Sequence, residues 1–190
     1  MPGDLNSLEL SHLILTNHIH EGAICIDATA GRGRDTAFLC SLAGSTGTVY
    51  SFDIQQEALD STARLISEKQ YKTNTKLILD SHSNLSQYAA TESVDAIVFN
   101  FGWLPGGDHT LFTLPETSIA AIQAGLSLLK VGGLMTLGIY YGGQSGFSER
   151  DALLQYLPTI DYRRFTVTIT TFCNRPNNPS ILGVIIKDEP

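Results

Sequence analysis

Short apolar runs alternate with stretches of helical periodicity along almost the whole chain, and this alternation is the feature that most restricts its fold. The runs 23–29 (AICIDAT), 48–53 (TVYSFD), 76–80 (KLILD), 94–100 (VDAIVFN) and 134–140 (LMTLGIY) have the length and apolar continuity of strands buried on both faces. Helices are expected over 35–43, 55–69 and 115–130, with Gly44 ending the first and Pro115 opening the last. In 55–69 the expected buried side is Ala58, Leu59, Ala63, Leu65 and Ile66. A leading helix over 5–19 follows from the spacing of Leu5, Leu8, Ile14, Leu15 and Ile19, and a later one is expected near 148–157. Such alternation demands a mainly parallel sheet with helices on both faces. The final β-rich runs, 163–172 and 181–187, are separated only by the turn chemistry of 174–180 (NRPNNPS), so they should pair antiparallel at one edge. The expectation is one Rossmann-like α/β domain over 1–190, with a seven-stranded, mostly parallel sheet and an antiparallel C-terminal strand.

Composition sets outer bounds. Hydrophobic residues make up 43% and charged residues 16%, a globular balance. No apolar run is long enough to span a bilayer, and the start MPGDLNSLEL lacks the pattern of a signal peptide, so a cytoplasmic location is expected. Cys25, Cys40 and Cys173 are widely spaced and form no CxxC pair, which points to reduced thiols and no metal site. A formal net charge of −7 argues against sequence-blind binding to nucleic acid. It leaves room for local recognition of a folded RNA through a small basic patch.

The densest chemical signal is Asp27-Ala28-Thr29-Ala30-Gly31-Arg32-Gly33-Arg34-Asp35-Thr36, where the first strand hands over to a helix. Glycines at that point allow positive φ and close approach of a ligand. Dinucleotide-binding loops carry G-x-G-x-x-G there. This chain has Thr36 in place of the third glycine and a carboxylate, Asp27, at the strand end. A pyrophosphate favours exposed amides and a positive helix end rather than a neighbouring carboxylate. S-adenosylmethionine has no phosphate but has a sulfonium and an ammonium, both favoured by Asp27. Asp53 ends the second strand 20 positions after Gly33, where an acid can hold ribose hydroxyls. Asp80 and His82 end the third strand at the expected adenine rim, although Asp-Ser-His-Ser is also good turn chemistry. Asp35 fits either a ligand or a helix N-cap.

Asn100-Phe101-Gly102-Trp103 follows the fourth strand, and resembles the Asn-Pro-Pro-Tyr type of motif of methyltransferases acting on amines of planar systems. An amine nucleophile must aim its lone pair at the methyl carbon, in line with the departing sulfur. The Asn100 side-chain oxygen and the Phe101 carbonyl suit the amine hydrogens, and Trp103 suits stacking on a base. Leu104-Pro105-Gly106-Gly107-Asp108-His109 continues the loop, with Asp108 as the candidate proton acceptor. Tyr140 and Tyr141 are candidate pocket walls. Asn174, Arg175 and Asn177 are candidate contacts to RNA phosphate or the target base.

Seven strands with an antiparallel ending is the arrangement of class I methyltransferases. The chain further resembles the bacterial tRNA 5-aminomethyl-2-thiouridine methyltransferases, long labelled rRNA methylases. The resemblance is carried by DAT-x-G-x-G-x-DT (Asp27 to Thr36), FDIQ (Phe52 to Gln55), D-x-H (Asp80 to His82) and FN-x-G-x-LPGGD (Phe99 to Asp108). It continues through LL-x-x-GG (Leu128 to Gly133), Y-x-G (Tyr140 to Gly142) and an Asn-rich segment (Asn174 to Pro179). It implies S-adenosylmethionine held by Asp27, Thr29, Gly31, Gly33, Asp35, Thr36, Asp53, Ile54, Gln55, Ser81, His82, Asn100 and Gly102. It implies Asn100, Phe101 and Asp108 at the reacting atoms. Trp103, Leu104, Pro105, Gly106, Gly107, Tyr140, Tyr141, Asn174 and Arg175 are then placed against substrate. It also implies a homodimer acting on a tRNA anticodon stem-loop without a metal. The family pattern Tyr-His-Gly-His is Tyr140-Tyr141-Gly142-Gly143 here, and its Asn-Gln is Asn174-Arg175, so roles of the missing side chains do not transfer.

Other readings stay open on sequence alone. A methyltransferase of rRNA or of a small amine would discriminate differently among aminomethyl-bearing and unmodified tRNA. A nicotinamide-dependent oxidoreductase would bind NAD in preference to S-adenosylmethionine. A non-catalytic nucleotide-binding module would bind cofactor and transfer nothing.

Overall fold

The computed structural model describes residues 5–102, 113–141 and 143–190, with only the backbone at 143–145. Trp103, Leu104, Pro105, Gly106, Gly107, Asp108, His109 and Gly142 therefore lie outside the described residues. The strands are β1 (Ile24–Asp27), β2 (Thr48–Asp53), β3 (Asn74–Leu79), β4 (Val94–Phe101), β5 (Leu129–Ile139), β6 (Phe165–Thr170) and β7 (Ile181–Lys187). The helices are α1 (Ser7–His18), α2 (Arg34–Ala43), α3 (Gln56–Lys69), α4 (Pro115–Leu128) and α5 (Gly143–Tyr156).

All seven strands join one sheet in the order β3-β2-β1-β4-β5-β7-β6. From β3 to β5 the neighbours run parallel. β7 is antiparallel to both β5 and β6, so it wedges between them. Its residues are nearly all buried, whereas β6 alternates with threonines and takes the edge. Successive residues of the central strands feed two cores. Ile26, Ile97, Phe99 and Phe101 pack with residues of α4 and α5. Cys25, Ala96 and Val98 pack with residues of α1 and α2. Both faces of the sheet are thus covered, as a largely parallel sheet requires.

Several boundaries differ from the periodicity. β5 starts at Leu129, but its pairing with β4 jumps from Val94–Leu129 to Ala96–Leu134. Gly132, at φ 80°, carries the intervening bulge. α5 begins a turn earlier than expected, because the cost of one glycine does not forbid a helix. In α3 the buried residues are Ala58, Leu59 and Thr62, while Ala63 is exposed. α1 buries Ser7, Ser11 and Leu15, and leaves Leu5 exposed. Hydroxyls explain this face. Ser11 Oγ donates to Thr136 Oγ1 on β5 at 3.0 Å, and Ser7 Oγ meets Ser180 Oγ at 2.5 Å. A buried hydroxyl with a partner costs little, so serines serve where leucines were expected.

Candidate functional site

The chain order runs outward from β1 in both directions, so a crevice opens beside the carboxyl end of β1, between β2 and β4. Asp27 closes β1 and is fully buried. Its Oδ1 accepts the Thr29 amide at 3.1 Å and its Oδ2 accepts Thr36 Oγ1 at 2.6 Å. Thr36 Oγ1 also meets Ser51 Oγ of β2 at 2.7 Å. Burial, then the charge of Asp35 and more weakly that of Asp53, push Asp27 up from the ordinary carboxylate range to about 7. The two hydroxyl and amide donors oppose that rise.

The loop after β1 turns through Gly31 (φ 53°) and Gly33 (φ 80°), both left-handed. Gly33 is the N-cap of α2, so Asp35 is not; it stands in the first turn. A Cβ on Gly33 would lie 2.8 Å from Thr62 Cα, so only glycine permits this close passage over α3. The Gly31 amide donates to Asp53 Oδ2 at 2.9 Å, and the Gln55 amide donates to Asp53 Oδ1 at 2.9 Å. Burial raises the Asp53 pKa against these donors. Beside it Ile54 is 59% exposed, an apolar surface at the mouth of an otherwise acidic crevice.

On the other side stands Asn100 of β4. Its amide donates to Thr29 Oγ1 at 2.8 Å, which ties β4 to the glycine loop. Its Nδ2 donates to Asp35 Oδ2 at 2.6 Å, and Asp35 Oδ1 meets His12 Nε2 at 2.5 Å. Gly138 of β5 lies opposite Asn100 in register. A Cβ there would stand 2.8 Å from Asn100 Oδ1 and 3.1 Å from Tyr140 Cε2. The Phe101 ring is buried, and its carbonyl already accepts the Tyr140 amide at 3.1 Å, leaving one lone pair. Gly102, at φ 136°, exchanges bonds with Thr113: its amide donates to Thr113 Oγ1 at 2.8 Å and its carbonyl accepts the Thr113 amide at 3.1 Å. Thr113 and Ser118 in turn donate to the buried Glu149 at 2.7 and 2.6 Å.

The third-strand residues divide. Asp80 turns to its own loop, accepting from the Ser81 amide, Asn84 and Tyr88. Those donors hold it below the usual carboxylate range. Ser81 Oγ caps the following 3-10 turn by accepting the Ser83 amide at 3.2 Å. His82 bonds the Ala28 backbone, and burial pushes it down to about 4, so it is neutral at physiological pH. Its ring meets Phe99 and Phe101 edge-on at 6.0 and 6.2 Å. Tyr140 bonds Ser7 at the start of α1. Tyr141 is turned to α5, where it meets Phe147 and the Arg150 guanidinium. Asn174, Arg175 and Asn177 are exposed, and Arg175 reaches the Leu5 carbonyl at 3.5 Å.

The crevice therefore gathers Asp27, Thr29, Gly31, Asp35, Thr36, Asp53 and Asn100 into hydrogen-bonded contact, with Gly33 beneath and Ile54 at the mouth. His12, Ser51, Gly138 and Glu149 join this surround, and sequence reasoning missed all four. A lone glycine inside the apolar run LMTLGIY was a usable signal for Gly138. His12 had none, because its helix lies 23 residues from its partner. The donor set fits a cationic nucleoside: three carboxylates for positive groups, a glycine turn for close approach and an apolar side chain for a base.

A family model described as "Putative rRNA methylase" matches residues 49–186. A structure from Clostridium thermocellum described as a "putative rRNA-methylase" is 42% identical with a TM-score of 0.94, covering 97% of this chain and 98% of that one. SMU.1697c from Streptococcus mutans, described as "a putative methyltransferase" and solved in complex with SAH, is 35% identical with a TM-score of 0.87, covering 97% and 99%. The chloroplastic tRNA (mnm(5)s(2)U34)-methyltransferase of Arabidopsis thaliana is 32% identical over 172 residues, which are 84% of this chain and 63% of that protein. The chain thus spans less than two thirds of that relative's length.

Proposed function

This chain belongs to the rRNA-methylase family of class I methyltransferases and uses S-adenosylmethionine as its cofactor, and on that premise we propose that it methylates the amine of 5-aminomethyl-2-thiouridine at the tRNA wobble position. The observation that carries the reading is the fixed amide of Asn100, whose Nδ2 is committed to Asp35 and whose Oδ1 is seated against Gly138. Among the described residues that oxygen has no hydrogen-bond donor, so it can accept an N–H, which an amine nucleophile has and a carbon nucleophile lacks. The Arabidopsis relative, named a tRNA (mnm(5)s(2)U34)-methyltransferase, supports the same choice, since mnm(5)s(2)U is the product this transfer would give.

When bound, S-adenosylmethionine supplies a methyl carbon made electrophilic by its sulfonium. Asp27, Asp35 and Asp53 would hold its cationic and hydroxyl groups. Asn100 Oδ1 accepts one amine hydrogen and so turns the nitrogen lone pair along the transfer axis. The Phe101 carbonyl has one lone pair left for a second hydrogen. The amine must be neutral to attack, and removal from water together with the sulfonium charge beside it would lower its pKa. Asp108 is the assigned proton acceptor. The partner is a tRNA anticodon stem-loop, met by a homodimer, with Arg175 and Asn174 toward the RNA. No helix of the described residues is long and apolar enough to cross a membrane.

A second reading, transfer to rRNA, is favoured by the family's description and by that of the Clostridium thermocellum structure. Nucleoside mass spectrometry of tRNA and rRNA from cells lacking the gene separates the two. Accumulation of the aminomethyl precursor in tRNA is expected. Unchanged wobble nucleosides together with a lost rRNA methylation would replace the tRNA reading.

A further inference from the structure

An asparagine amide offers an acceptor at one corner and a donor at the other, and a rotation of 180° exchanges them. Only the oxygen serves an amine nucleophile; a donor in its place would compete for the very lone pair that must attack. Something in the protein has to choose. Asn100 Nδ2 lies 2.6 Å from Asp35 Oδ2. A carboxylate accepts and does not donate, so the rotated amide would set oxygen against oxygen. Asp35 thus decides the orientation, provided that Asp35 itself cannot turn. Its other oxygen is bound by His12 Nε2 at 2.5 Å. The imidazole in turn lies flat on Phe38, with ring centroids 3.7 Å apart and planes 9° from parallel. Asp35 is only 8% exposed, so solvent is a poor substitute for the missing donor. Asn100 Oδ1 itself is seated against Gly138, where a Cβ would come within 2.8 Å of it, so the oxygen keeps its place only because that residue has no side chain.

We infer that His12 is a positioning residue: through Asp35 it locks the Asn100 amide with its oxygen toward the acceptor amine. The inference rests on the reading of Asn100 as the group that orients that amine. It gives α1, which supplies none of the residues read from the glycine loop or the strand ends, a part in the transfer. His12 touches neither reactant in this account. Its effect passes through one carboxylate and one amide.

The test pairs His12→Phe, which keeps the ring on Phe38 but loses the donor, with His12→Gln, which restores a donor. His12→Phe is expected to lower kcat for methyl transfer to tRNA about tenfold, since small misplacements of an orienting group cost one to two orders of magnitude. KM for tRNA and the Kd for S-adenosylmethionine should stay within about twofold, and His12→Gln should recover most of kcat. In an Asn100→Ala background, His12→Phe should cause no further loss, because the two residues act as one unit. A readout free of substrate is the side-chain amide pair of Asn100 in nitrogen-15 spectra, assigned by its disappearance in Asn100→Ala. The two proton lines, separate in any primary amide because its C–N bond turns slowly, are expected to lie well away from the positions of a free asparagine in the wild type and His12→Gln, and to move toward those positions in His12→Phe. An amide pair unmoved by His12→Phe, or additive losses in the double variant, would overturn the inference. A wild-type protein that methylates no tRNA would remove the substrate reading, while the amide lines still decide the role of His12.

Discussion

Cofactor affinity should depend on pH in a direction set by Asp27. In the free protein burial and neighbouring carboxylates lift Asp27 from 3.8 to about 7. The folded state therefore retains a proton that the unfolded chain has released. Stability from this group is full below about pH 4 and is lost as pH rises toward 7. A rise of about three units corresponds to roughly 4 kcal/mol, an upper figure for one group. A cation brought into the crevice reverses the balance, because it favours the ionised carboxylate. Binding of S-adenosylmethionine should then expel close to one proton at pH 6 and almost none at pH 8. By linkage the affinity should fall about tenfold per pH unit below 7, until the pKa of the complex is reached. Isothermal titration calorimetry in buffers of different ionisation enthalpy measures both quantities. Asp27→Asn should bind weakly at every pH with no proton release. Affinity that stays level between pH 6 and 8, or that strengthens as pH falls, would refute the assignment of a positive ligand to this carboxylate.

Three further outcomes follow from the packing. Gly138→Ala places a methyl group 2.8 Å from Asn100 Oδ1, which must shift, and should cut kcat at least about tenfold with the fold intact; a variant with wild-type kcat would show that the seat of this amide does not matter to transfer. Glu149→Ala strips the acceptor from Thr113 and Ser118, and should cost about 2–3 kcal/mol in denaturant unfolding; a loss below about 0.5 kcal/mol would show the anchor to be dispensable. Thr62 Oγ1 is buried with no partner among the described residues, so Thr62→Val should stabilise the protein by about 1 kcal/mol; a lower melting temperature would mean that the hydroxyl is satisfied.

Where one element dictates its own environment, the sequence was sufficient. The continuous apolarity of VDAIVFN could be satisfied only by burial on both faces, and β4 sits at the centre of the sheet. Pro115 opens α4 because its fixed φ and missing N–H suit a first turn. The pair Asp27 and Gly33 was legible because a strand-end acid before a tight glycine turn is a local pattern. What escaped was long-range pairing between polar groups. The serines of α1 gave no apolar stripe, since their burial is satisfied by hydroxyls on β5 and beside β7. His12 and Asp35 meet only because α1 packs beside α2, a fact of tertiary packing. Asp80 shows the opposite case: its spacing fitted a ligand, but Asn84 and Tyr88 occupy its carboxylate.

The most direct test of the central claim is transfer by the purified protein in a defined mixture. tRNA carrying 5-aminomethyl-2-thiouridine is incubated with methyl-labelled S-adenosylmethionine, digested and resolved by mass spectrometry. The account predicts label in 5-methylaminomethyl-2-thiouridine, and none when the tRNA lacks the aminomethyl group. Label in any other nucleoside, or transfer that ignores the aminomethyl group, would contradict it.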